Sequence, residues 1–119
     1  MSKYDELHLA LVNQTCKDGQ SVIQDLNADR AHLIHMLMGI VGEAGELMDA
    51  IKKHTIYNKP LDRENVIEEL GDIEWYMQGL RAHLGISRDA VLQYNIEKLK
   101  KRYPDKYTDA HAQLRMDKA

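Results

Sequence analysis

Three stretches of this chain space their apolar residues in alternating steps of four and three, and no other feature constrains the fold so tightly. In the first, Leu33, Leu37, Ile40, Ala44, Leu47 and Ile51 mark one stripe of a helix. Val66, Leu70, Ile73, Met77, Leu80 and Leu84 repeat the pattern, and Leu92, Ile96, Leu99 and Tyr103 repeat it again. Three helices with narrow apolar seams, joined by connections of about ten residues or fewer, pack antiparallel. The expected class is all-α: an antiparallel four-helix bundle.

The punctuation fits that reading. A first helix over roughly Tyr4 to Lys17 is only loosely periodic and ends near Gly19. The second runs from after Asn27 to about His54, and a linker from Thr55 to Leu61 carries Asn58 and Pro60. Asp62 caps the third helix, with Leu61 and Val66 placed as a hydrophobic staple, and Gly85 stops it. Ser87 opens the fourth, which ends before Pro104; the polar tail from Asp105 is expected to be irregular. With 119 residues there is room for one core, so a single domain over residues 1–119 is expected. Aromatic residues are 6% and Phe is absent, so that core falls to Leu, Ile, Val, Met and Ala. Seams this narrow invite a second copy of the chain, and completion by oligomerisation is expected.

Charge and cysteine usage exclude other classes. A net charge of −3 offers no general attraction to nucleic acid or an anionic membrane. The single cysteine, Cys16, leaves no internal disulfide and suits a reducing cytoplasm. The opening MSKYDELHLALVNQ lacks the apolar core of a signal peptide, and no apolar run approaches the ~18 residues that span a bilayer. A cytoplasmic protein with neither nucleic-acid nor membrane partners is expected.

The acidic residues carry the chemistry. With the seams as heptad positions a and d, Glu43 and Glu46 take g and c of the second helix, and Glu69 and Asp72 take g and c of the third. Residues three apart on a helix lie about 4.5 Å apart along the axis and about 60° apart around it. Both members of a pair can therefore reach one ion, and two adjacent helices can bring all four acids together. Two like charges ~5 Å apart at an effective dielectric of ~20 repel by about 3 kcal/mol, so such a cluster calls for a cation. An all-oxygen donor set suits Mg²⁺ first, with Mn²⁺ as a substitute. One E-x-x-E alone is more simply a solvated helix face; matching pairs on consecutive helices are what raise the metal reading.

The last helix reverses the sign. Asn95, Lys98 and Arg102 form one polar stripe beside its seam, and Lys53 falls on the acid flank two turns beyond Glu46. Cations beside a metal site are what a polyphosphate needs, because one divalent ion does not neutralise a triphosphate. Taken alone, the segment NIEKLKKR reads equally as a solvated basic face near a helix C-terminus.

At these residues the chain resembles the MazG-like, all-α nucleoside triphosphate pyrophosphohydrolase superfamily. Its E-x-x-E and E-x-x-D signature stands here as GEAGELMDAIKKH and ENVIEELGDIEWYM, and its N-x-x-KL-x-x-RYP continuation as NIEKLKKRYP. The resemblance covers about His32 to Tyr107 and leaves the N-terminal 30 residues unmatched. It implies that Glu43, Glu46, Glu69 and Asp72 are the catalytic, metal-binding acids. It also implies that Lys53, Asn95, Lys98, Arg102 and Tyr103 surround the phosphates or nucleotide. Further implications are Mg²⁺-dependent hydrolysis of an NTP or dNTP to the monophosphate and pyrophosphate, and a homodimer or homotetramer. The alternatives are a pyrophosphohydrolase on another diphosphate-containing metabolite and a non-catalytic helical interaction module.

Other residues carry less. Of six histidines only His32 lies on the acid flank, and no E-x-x-H pair supports a di-iron site. Asp5 and His8 read as surface. Trp75 and Tyr76 follow Asp72 on the third helix; Tyr76, in line with Glu69, could stack on a base, but packing is the simpler role for it. Met36, Met38, Met48 and Met77 read as core or interface, and Gly39, Gly42 and Gly45 as sites of close helix approach.

Overall fold

A computed structural model of the chain describes residues 1–104. Every regular element among them is a helix, and none is long and apolar enough to cross a membrane. The order is α1 (Lys3–Thr15), α2 (Gly19–Asp25), α3 (Ala28–Thr55), α4 (Arg63–Leu84) and α5 (Arg88–Arg102). The expected irregular tail lies outside the described residues.

Local chemistry sets most of the boundaries. Ser2, Asp18, Asp62 and Ser87 each accept a hydrogen bond from the backbone N–H three residues on, at 3.1, 2.8, 3.1 and 3.1 Å. The Asn27 side chain does the same for α3, accepting from the Arg30 N–H at 2.9 Å. At the other end of α4, Gly85 takes φ 67, a left-handed conformation open to glycine at little cost, and the Ile86 N–H returns to the Arg81 carbonyl at 2.9 Å. Between α3 and α4 the chain turns through Asn58 at φ 58, while His54 Nδ1 donates to the Lys59 carbonyl at 2.8 Å. The expected limits of the three periodic helices hold to within about a residue.

The stretch after α1 departs from expectation. It contains a further helix, α2, whose seven residues are too few for any periodicity to register; only its cap, Asp18, signals it.

The chain divides into two compact units, Met1–Ile34 and a second that begins at His35. The first holds α1, α2 and the opening of α3; neither α1 nor α2 contains a buried residue. The second holds the rest of α3 with α4 and α5. Within it, Met36 meets Gly79, Gly39 meets Tyr76, and Glu43 meets Glu69 and Asp72. Numbers rise along α3 as they fall along α4, so the two helices are antiparallel.

These contacts also correct the expected seam. The buried hydrophobic residues among those described are Met36 and Ala50, and Glu43 lies midway between them at a spacing of seven. The face of α3 turned toward α4 is therefore the stripe that carries Glu43, not the stripe of Leu37, Ala44 and Ile51. Those three are exposed, as are Leu70, Leu84, Leu92, Ile96 and Leu99. The close approach expected at the three glycines of α3 holds at Gly39 alone, since nothing lies within 4 Å of a Cβ placed at Gly42 or Gly45.

Candidate functional site

Because the facing stripe of α3 carries Glu43, the acid meets its counterparts between the helices and not on an outer flank. Glu43, Glu69 and Asp72 each place one carboxylate oxygen within 4.8 Å of the others. Glu43 and Glu69 are half-buried and Asp72 is exposed, so the cluster opens outward at the α4 side. It borders a cavity of about 330 Å³ lined by Glu43, Asp72, Trp75 and Tyr76.

The electrostatics match the crowding. The Glu69 carboxyl is pushed up to about 7, first by its hydrogen bond with the Glu43 carboxyl, then by burial, then by the charges of Glu43, Asp72 and Glu46. A hydrogen bond between the two carboxyls requires a proton on one of them. Glu69 Oε2 is buried and has no hydrogen-bond partner, an arrangement that polar atoms in folded proteins rarely keep. Opposite ligands of an octahedral Mg²⁺ stand ~4.2 Å apart, given bonds of ~2.1 Å. Adjacent ligands stand ~3.0 Å apart, so three oxygens within 4.8 Å, on residues that include the unpartnered Glu69 Oε2, can share a small hard cation once their side chains draw inward.

Of the other expected site residues, Glu46 is exposed and stands outside the three-oxygen group, although its charge reaches Glu69. Lys53 is exposed and lies 3.8 Å from Asp49, its neighbour one turn back. On α5, Asn95 is exposed while Lys98 and Arg102 are half-buried, as is Tyr103, the residue that caps its C-terminus. Arg102 sits 5.8 Å from the Tyr103 ring centre, and both residues have further interactions. The described cavity wall comes from α3 and α4, so the structure brings three acids together and leaves the α5 stripe outside that wall.

The aromatic neighbours divide in an unexpected way. Tyr76 packs its ring against the backbone of α3 at Gly39, where a Cβ would collide with it. It meets His35 at 6.3 Å and 65°, and Trp75 edge-on at 4.9 Å and 85°. Trp75, to which sequence reading gave no role of its own, is 65% exposed on the cavity wall. The available signal was its position three residues after Asp72, which puts it on the same side of α4.

The model of the MazG nucleotide pyrophosphohydrolase domain matches residues 32–107. The chain belongs to that family. The match takes in α4, α5 and nearly all of α3, and with them every acid of the cluster. Membership supports nucleotide pyrophosphohydrolase activity in general, and MazG-like hydrolases are generally dependent on divalent metal. A relative, the "Gene 37 protein" of Mycobacterium phage L5, is 35% identical over 74 residues, covering 59% of this chain. The matched segment spans 65% of that relative's length. No solved structure gives a significant match.

Proposed function

We propose that this MazG-family chain hydrolyses a nucleoside triphosphate, NTP or dNTP, to the monophosphate and pyrophosphate with Mg²⁺ as its metal. The observation that carries the proposal is the convergence of Glu43, Glu69 and Asp72, with one buried carboxylate oxygen lacking a partner. Glu46, within electrostatic reach of Glu69, completes the donor set. When bound there, Mg²⁺ neutralises and orients the polyphosphate; Mn²⁺ could replace it.

The chain's own residues divide the remaining work. Lys98 and Arg102, one turn apart on α5, hold phosphate oxygens, Arg102 through a planar fork suited to two of them. Asn95 on the same helix and Tyr103 at its C-terminal cap contact the nucleotide, and Lys53 does so once it exchanges Asp49 for a phosphate. A water oxygen bonds to phosphorus, the P–O bond of the α–β bridge breaks, and the water's proton passes to a carboxylate of the α3 pair, Glu43 or Glu46.

The exposed apolar stripes belong in this reading too. An open groove on α3 of about 490 Å³, lined by residues that include Ala44, Leu47, Met48 and Ile51, leaves apolar side chains of the expected seam in solvent. A second copy of the chain covers it, in a homodimer or homotetramer working in the cytoplasm without nucleic-acid or membrane partners.

A panel of the standard NTPs and dNTPs with Mg²⁺, scored by pyrophosphate release with and without chelator, tests the assignment. Release that stops on chelation is expected. A folded, metal-loaded protein that releases pyrophosphate from none of them, or only from another diphosphate-containing metabolite, overturns it.

A further inference from the structure

We infer that Trp75 is the stacking platform for the nucleobase, and that Tyr76 serves to aim it. This rests on the nucleotide reading of the acid site and adds where the base goes.

The two adjacent aromatics could have exchanged roles, and Gly39 decides between them. Without a side chain there, the Tyr76 ring lies directly on the backbone of α3. Consecutive residues of a helix point about 100° apart, so a Tyr76 fixed between α3 and α4 forces its neighbour outward. Trp75 emerges 65% exposed, with its indole in the wall of the cavity that Glu43 and Asp72 also line. The edge-on contact with Tyr76, 4.9 Å between ring centres at 85°, restricts how the indole can turn. An oriented aromatic side chain left largely in solvent beside a carboxylate cluster is poorly explained by packing.

The cavity's lining combines two chemistries. Glu43 and Asp72 bring carboxylates suited to a cation and its phosphates. Trp75 brings a neutral π-surface one helical turn along α4, about 4.5 Å of axial rise from Asp72. A nucleotide offers a counterpart to each: charged phosphates and, across a short sugar, a flat aromatic base. Stacking on an indole is available to every base, so Trp75 gives affinity for the nucleoside portion and little choice among bases.

Trp75 is the sole tryptophan of the chain, so its fluorescence reports on this wall alone. The test compares wild type, Trp75→Phe and Trp75→Ala, using nucleoside triphosphates and, as a probe without a base, inorganic tripolyphosphate, all with Mg²⁺. Expected results are quenching of wild-type fluorescence by a non-hydrolysable nucleotide and much weaker quenching by tripolyphosphate. Trp75→Ala should raise KM about tenfold or more, with kcat altered less than about threefold, and Trp75→Phe should stay within about threefold of wild type in both. Equal quenching by the two probes, or an unchanged KM in Trp75→Ala, overturns the proposal. So does a Trp75→Ala protein whose only change is a smaller assembly, which would make the indole an interface residue. Wild type that binds nucleotide through quenching yet releases no pyrophosphate would instead sink the hydrolase reading and leave the platform standing.

Discussion

The acids of α3 and α4 and the cations of α5 are equally regular in the sequence, yet they meet different fates in the structure. Glu43, Glu69 and Asp72 come within reach of one ion. Lys98 and Arg102 stay half-buried on α5, outside the described cavity wall, and Lys53 pairs with Asp49 at 3.8 Å. The difference lies in what each stripe faces. The acid stripes sit on the surfaces that α3 and α4 turn toward each other, so helix packing forces their convergence. The α5 stripe does not line the cavity that the acids border. Charge patterning thus becomes a site only where packing confronts it with a second pattern.

The largest expected effect falls on the acid side. Glu69→Gln and Asp72→Ala should each lower pyrophosphate release by more than about a hundredfold, since even outer-shell changes at metal sites cost 10–100-fold. Circular dichroism should still show a helical protein. On the α5 side, Arg102→Ala and Lys98→Ala should raise KM by about tenfold to a hundredfold, as charge-assisted hydrogen bonds of roughly 1.5–3 kcal/mol imply. Lys53→Ala should do less, because its exposed pair with Asp49 is worth ~0.2–1 kcal/mol. A Lys53 effect as large as that of Glu69 would erase the contrast between the two stripes.

Acidity offers a second contrast. Glu69 has its folded pKa raised from 4.5 to about 7, so between those values the folded state binds more proton than the unfolded one. Stability contributed by this group is therefore fully present below pH 4.5 and is lost as pH rises through 7. Metal-free protein should melt at progressively lower temperature across that window. Saturating Mg²⁺, which replaces the shared proton, should flatten or reverse the slope. A metal-free melting temperature that rises between pH 5 and 7 would contradict the crowding of Glu43 and Glu69.

Glycine substitutions give the smallest and most local comparison. Gly39→Ala should destabilise by about 1–3 kcal/mol, because its Cβ would occupy the place of the Tyr76 ring. At Gly42 nothing lies within 4 Å, so Gly42→Ala should stabilise α3 by up to about 1 kcal/mol in thermal melts. A destabilised Gly42→Ala would instead show that this face of α3 lies against another copy.

Much of this architecture is legible residue by residue, and the gaps have physical causes. Asp62, Gly85 and Ser87 mark helix ends because capping depends on a few neighbouring atoms. The acid pairs are legible because a spacing of three fixes which side of a helix they share. The direction of the seam is not. α3 carries apolar residues on two adjacent stripes, Met36 to Ala50 and Leu37 to Ile51, and only the opposing helix selects one. The same limit hid the exposure of Trp75 beside a packed Tyr76, since the place of the Tyr76 ring turns on a glycine of another helix. α2 escaped because seven residues hold too little pattern.

Calorimetric titration with Mg²⁺, repeated with Mn²⁺, tests the central claim most directly. Wild type should bind the ion with release of protons, and Glu43→Gln, Glu69→Gln and Asp72→Asn should each weaken binding at least tenfold. Binding that is absent in wild type, or equally strong in all three variants, would contradict the account.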